Sequence, residues 1–199
     1  MKSIVASAGQ AAIAGLVISA VVLAVWYFGS GIDGLGFAST VARVIHVLSA
    51  VLWVGMIWFV NFVQLAALSE ADDGGRATLM KLVVPRVAKI FRHASTLTVL
   101  SGVALLITSG YLFERWVYKS AVYVPPLKGG LLLGAIVASL VMWGLVHFVI
   151  WPSLRIVLGE TPGDADAKAR ARDKARVAAR INLVLALPVT CVMVAVAHA

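Results

Sequence analysis

Four histidines, His46, His93, His147 and His198, are the residues of this chain whose type and spacing reach beyond packing. Each lies in or beside one of the last four long apolar runs. Threaded up and down through a membrane, those runs bring His46 and His198 to one surface and His93 and His147 to the other. Low-spin haem iron takes two neutral imidazoles from facing helices. Apolar side chains around the ring set its potential, and Arg, Lys or backbone donors hold the propionates. Arg43, one turn before His46, is placed as a propionate partner, and Arg92 and Arg155 lie near the second pair. The expectation is haem b with His46 and His198 as iron ligands, and His93 with His147 as a second candidate pair.

Each histidine also has a plainer reading. An ionisable residue inside a bilayer is functional by default, yet one at a helix end can rest in the headgroup layer at little cost. His93 directly follows Arg92 and suits that layer; His198 is penultimate and could fray; His147 could be a hydrogen-bonded packing residue. Asn61 and Gln64, one turn apart, could bind a quinone carbonyl or join membrane helices, which is the commoner use of such residues. Ser95, Thr98, Ser101, Gly102 and Gly110 read as small positions for close helix packing. Asn182, beside Arg180, reads as a tie to the membrane surface, and Pro188 as a kink.

The elements that must position these residues follow from composition. Of 199 residues, 61% are hydrophobic and 13% charged, and mean hydropathy is +0.97. That is an integral membrane protein. Five runs are long enough to cross: Ala11 to Gly29, Val41 to Leu68, Ala94 to Leu112, Gly130 to Trp151 and Val177 to Ala197. In hydrocarbon every backbone N–H needs an internal partner, so they must be helices. The predicted fold is all-α, a single transmembrane domain over 1–199 with five transmembrane helices. Helices two to five form an antiparallel four-helix bundle, and helix one lies at its edge. The first run follows Lys2 like a signal peptide, but it is longer, ends in Trp26-Tyr27-Phe28 and has no convincing cleavage site, so it is kept as helix one. The lone Cys191 is expected as a buried thiol, and no Cys-x-x-Cys-His occurs for an attached haem.

With five crossings, 13 of the 17 Lys and Arg fall on one side and four (Arg43, Arg115, Lys119, Lys128) on the other. Basic connections stay in the cytoplasm, so the chain is expected in a bacterial inner membrane with its N-terminus cytoplasmic and its C-terminus periplasmic. The net charge of +8 then describes a face against anionic lipid, with no need of nucleic acid. The connection Ser69 to Lys89 reads as an acidic turn followed by a basic amphipathic segment around Leu82-Val83-Val84-Pro85 along the inner surface. Phe113 to Gly129, with Trp116, Tyr118 and Tyr123, reads as an interfacial aromatic anchor or a lid. Thr161-Pro162-Gly163-Asp164 reads as a turn and cap opening a helix that continues into the fifth crossing. Nothing resembles a serine or cysteine nucleophile, paired carboxylates, a phosphate loop or a nucleotide fingerprint. No acidic residue lies firmly inside a crossing, which gives little support to a carrier driven by a buried carboxylate.

Three local strings carry a resemblance: His46 to Gln64 in helix two (HVLSAVLWVGMIWFVNFVQ), Phe148-Val-Ile-Trp151-Pro152, and Ala179-Arg180-Ile-Asn182-Leu-Val-Leu-Ala186-Leu-Pro188. Together they resemble the bacterial membrane-bound urate-oxidase family, in its short form of the membrane domain alone, over about Val41 to His198. Helix two also resembles the histidine-bearing helices of the copper-resistance and membrane haem-synthesis oxidase families. The first resemblance implies urate oxidation, as proposed for longer members of that family. The second implies haem b or copper handling with His46 as a ligand, and His198 matches a histidine late in helix five of some relatives. Ala179 and Ala186 stand where the family pattern has serines, and His93 and His147 where it has tryptophans. Three functions stay open: a haem b electron-transfer protein exchanging electrons with a quinone or an outside partner, a cofactor-free accessory or assembly subunit of a larger membrane redox complex, and a urate-related membrane enzyme or small-molecule permease.

Overall fold

The computed structural model describes residues 6–111 and 126–198, with the side chain of His198 outside that description. Among the described residues every regular element is helical. The chain runs α1 (Ala8–Ser30), α2 (Gly34–Trp58), α3 (Leu65–Glu70), α4 (Asp73–Leu82), α5 (Val84–Thr108), α6 (Pro126–Gly144), α7 (Trp151–Val157) and α8 (Ala165–His198). Two π-helical segments, Phe59–Gln64 and Leu145–Ile150, join α2 to α3 and α6 to α7 without a break. The result is five rods long and apolar enough to cross a membrane: Ala8–Ser30, Gly34–Glu70, Asp73–Thr108, Leu127–Val157 and Ala165–Ala197.

The starts of these helices are written in short polar side chains. Ser7 accepts from the Gln10 N–H, Asp33 from Gly36, Asp72 from Gly75 and Asp164 from Ala167, so orphan donors of four first turns are satisfied. Gly31, at φ +66°, ends the first rod in the left-handed conformation, and α2 begins three residues later. The Asp164 cap opens one uninterrupted 34-residue helix through Pro188, as the Ala/Arg/Lys run suggested. The aromatic loop expected from Phe113 onward lies outside the described residues up to 125.

Packing is unequal. No residue of α1 is buried, whereas α2 packs along α5, and α6 and α7 pack along α8. The common core takes Trp53 and Ile57 from α2, Phe91 and Ala94 from α5, Met142 from α6, Val146 and Ile150 from the second π segment, and Ala178, Ala179 and Ala186 from α8. Two expectations change here. Val84, Val87 and Ala88 are buried at the start of α5, so the segment around Pro85 is part of the third rod and its packing and does not lie along a surface. Cys191 is exposed on α8, because the helix turns its alanine face, Ala178, Ala179 and Ala186, to the core.

Candidate functional site

α2 begins at Asp33-Gly34, seven residues before the predicted start, so His46 lies twelve residues into the helix, about 18 Å along its axis. Its ring turns to α5. Nδ1 stands 2.9 Å from the Thr98 carbonyl oxygen and 3.5 Å from the Ser101 hydroxyl oxygen. A carbonyl can only accept, so Nδ1 carries a proton, and in the neutral form of the ring the lone pair lies on Nε2. Nε2 makes no hydrogen bond among the described residues. The ring fits because residue 102 is glycine: a Cβ there would stand 3.0 Å from the imidazole Cε1 and 3.2 Å from Nδ1. Arg43, one turn earlier, is exposed and makes no ion pair among the described residues.

His147 is held differently. Nδ1 lies 3.0 Å from the Trp143 carbonyl oxygen, Nε2 lies 3.0 Å from the Thr96 hydroxyl, and Trp143 stacks on the ring at 4.5 Å. Both nitrogens are therefore engaged, Nδ1 within its own rod and Nε2 in joining the fourth rod to the third. His93 is exposed, with Nδ1 2.7 Å from the Lys89 carbonyl oxygen, and no hydrogen bond or ring contact joins it to His147. The cations near this pair are also engaged: Arg92 lies over the Trp151 ring at 4.3 Å, and Arg155 pairs with Glu160 at 3.4 Å. His198 is the last residue of α8; its side chain, and with it any approach to His46, falls outside the described residues.

A second group lies in the interior, where polar atoms are left without partners. Trp53 and Asn61 lie on one face of the second rod with Ile57 between them, and all three are buried. The Asn61 amide Nδ2 donates to the Ile57 carbonyl at 2.9 Å and to the Ala179 carbonyl of α8 at 3.2 Å, tying the two rods. Asn182, one turn beyond Ala179, is 0% exposed. This corrects the surface tie expected for it. The Trp53 Nε1, the Asn61 Oδ1, the Gln64 Oε1 and both amide atoms of Asn182 are buried without a hydrogen bond among the described residues. Native interiors leave few such groups, and each unmet one costs about 1–3 kcal/mol. Asn61 and Gln64 also sit on a π-helical segment, a distortion that recurs at functional sites.

The partners of His46 had a signal that spacing alone did not bring out. Thr98, Ser101 and Gly102 fall within five residues on the third run, and a stripe of small side chains there makes room for a ring from a neighbouring helix. Asn182 was likewise marked by its place among Ala178, Ala179 and Ala186, at helical spacing on one face. In comparison with known proteins, the chain matches no family model, no curated protein and no solved structure.

Proposed function

We propose that this chain is a membrane-embedded haem b electron-transfer protein, with His46 supplying an axial imidazole and a quinone as its membrane-soluble partner. The observation that carries the reading is the state of the His46 ring. Imidazoles that ligate metal almost always donate their other N–H to a carbonyl or carboxylate, which fixes tautomer and orientation and raises basicity. His46 has that arrangement through Thr98, with Nε2 left over. His147 does not, since both its nitrogens are bonded within the protein. The residues thus fit the group on the His46 side.

In this reading helices two to five alternate in direction as an antiparallel bundle, and His198 is the opposing ligand. Counted from the Asn61–Ala179 contact, His46 lies fifteen residues along one helix and His198 nineteen along the other. The offset of four residues is about 6 Å, one helical turn. Arg43, exposed one turn from His46, is the propionate partner. Bound haem b would supply one-electron chemistry at the iron. The protein holds the imidazole, excludes water with the apolar rods and keeps Nε2 unprotonated. The likeness of His46 to Gln64 to the histidine-bearing helices of the copper-resistance and haem-synthesis oxidase families points the same way. A bacterial inner membrane with the C-terminus in the periplasm completes the proposal.

The deciding experiment is an absorption spectrum of the purified protein with and without dithionite. Reduced b-type bands are expected in the wild type and in His147→Gln, and their loss in His46→Ala. A spectrum without such bands in the wild type, or one unchanged in His46→Ala, overturns the reading.

A second reading rests on an observation of its own. The unpaired atoms of Trp53, Asn61, Gln64 and Asn182 form a set of donors and acceptors with no charge, suited to a neutral polar molecule inside the bundle. A quinone is compatible with the first reading; a urate-like or other small solute would favour the enzyme or permease class.

A further inference from the structure

Where α7 meets the start of α8 there is an open cleft of about 300 Å³ whose two walls differ in character. The α7 side and the π segment before it are mostly apolar: Phe148, Pro152 and Ile156, with Phe148 71% exposed. The α8 side presents Arg170 and Lys174, one helical turn apart, both exposed. Neither enters an ion pair among the described residues. Two cations nearby do: Arg176 pairs with Asp173 at 2.9 Å and Arg155 with Glu160 at 3.4 Å, while Lys168 and Arg172, also unpaired among the described residues, do not line the cleft. Asp166, one turn before Arg170, makes no ion pair with it. Ser153 completes the wall. It is 5% exposed, lines the cleft, and its hydroxyl makes no hydrogen bond among the described residues.

We infer that this cleft is a binding site for one anionic phospholipid. A phosphate needs cations and a hydroxyl donor, and Arg170, Lys174 and Ser153 supply them at the polar end of the rod. An acyl chain needs an apolar wall beside the phosphate, and Phe148, Pro152 and Ile156 supply it. Basic pockets between membrane helices take anionic headgroups in this way. A soluble phosphate shares the polar half of this chemistry but leaves the apolar wall unused. The inference rests on the chain being membrane-embedded and is independent of haem, so a failed spectrum leaves it standing.

The test uses the full chain in nanodiscs of phosphatidylcholine, with and without phosphatidylglycerol, read by native mass spectrometry and thermal unfolding. One retained phosphatidylglycerol per chain and a higher melting temperature are expected for the wild type. Arg170→Gln with Lys174→Gln should weaken retention about 30-fold, as expected for two interfacial cations. The control pair Lys168→Gln with Arg172→Gln removes the same charge from the same helix outside the cleft and should retain the lipid. Equal loss in both pairs would reduce the effect to general charge and overturn the site. Equal stabilisation by inorganic phosphate in pure phosphatidylcholine discs would assign the cleft to a soluble anion and overturn the lipid.

Discussion

At the residue scale, one histidine is distinguished from the others by its hydrogen bonds. His46 spends one nitrogen on a backbone carbonyl and leaves the other free, His147 spends both, and His93 stands exposed at a helix surface. Gly102 makes the first arrangement sterically possible. Gly102→Val puts a branched side chain where even a Cβ would be 3.0 Å from the imidazole, so the ring or α5 must move. The expected cost is about 1–3 kcal/mol in unfolding measurements, with a parallel loss of any His46-dependent absorption. Asn182 gives the opposite sign. It makes no hydrogen bond to lose, and its buried amide is a burden in the ligand-free protein. Asn182→Leu should raise the ligand-free melting temperature and abolish the stabilisation by a short-chain quinone that the proposed function predicts for the wild type. A lower melting temperature in that variant would mean that buried water already satisfies the amide. Asn61→Leu should instead destabilise by about 0.6 kcal/mol or more, because it cuts the Ala179 tie between two rods.

At the scale of elements, the five crossings were legible because an apolar run of this length has no other stable form. The Asp164 cap and the unbroken fifth helix were legible too, each from local chemistry, whereas His147 allowed two readings, a ligand pair with His93 or a hydrogen-bonded packing residue, and its bond to Thr96 comes from a neighbouring rod. The missed features depend on neighbours. The start of α2 at Gly34 lies in weakly apolar Gly-Leu-Gly-Phe-Ala-Ser-Thr, where hydropathy is silent and the Asp33 cap decides. Val84, Val87, Ala88 and Phe91 form the apolar stripe of an amphipathic segment whose partner is a neighbouring rod, which the stripe alone does not tell from a lipid surface, and Asn182 is buried because α8 turns its alanine face inward. The π segments have no propensity signature at all, since an extra residue in a turn is retained for the contacts it makes. Removing the exposed Phe62 should let Phe59–Gln64 close into an ordinary α-helical turn. Helical circular dichroism should persist, while the quinone response, which needs the wide turn carrying Asn61 and Gln64, should vanish. Retention of that response would separate the π segment from binding.

At the scale of the whole molecule, the distribution of charge makes the most specific demand. The 17 Lys and Arg residues divide 13 to four if five rods cross in succession, and the larger group includes the long basic start of α8. Lys and Arg near the ends of short connections are held in the cytoplasm, so the asymmetry predicts the N-terminus inside and the C-terminus outside. An odd number of crossings gives the termini opposite sides, and a C-terminal reporter reads the result directly. An alkaline phosphatase fusion after residue 199 should be active, and a green fluorescent protein fusion there should be dark. The cleft between α7 and α8 shares the side with 13 cations, so Arg170→Cys should be labelled by a thiol reagent only after the membrane is permeabilised, in a Cys191→Ser background. A bright fluorescent fusion, or labelling of Arg170→Cys in intact cells, would invert the molecule. It would also carry the His46 end of the bundle to the cytoplasmic surface, where an outside electron-transfer partner could not reach it.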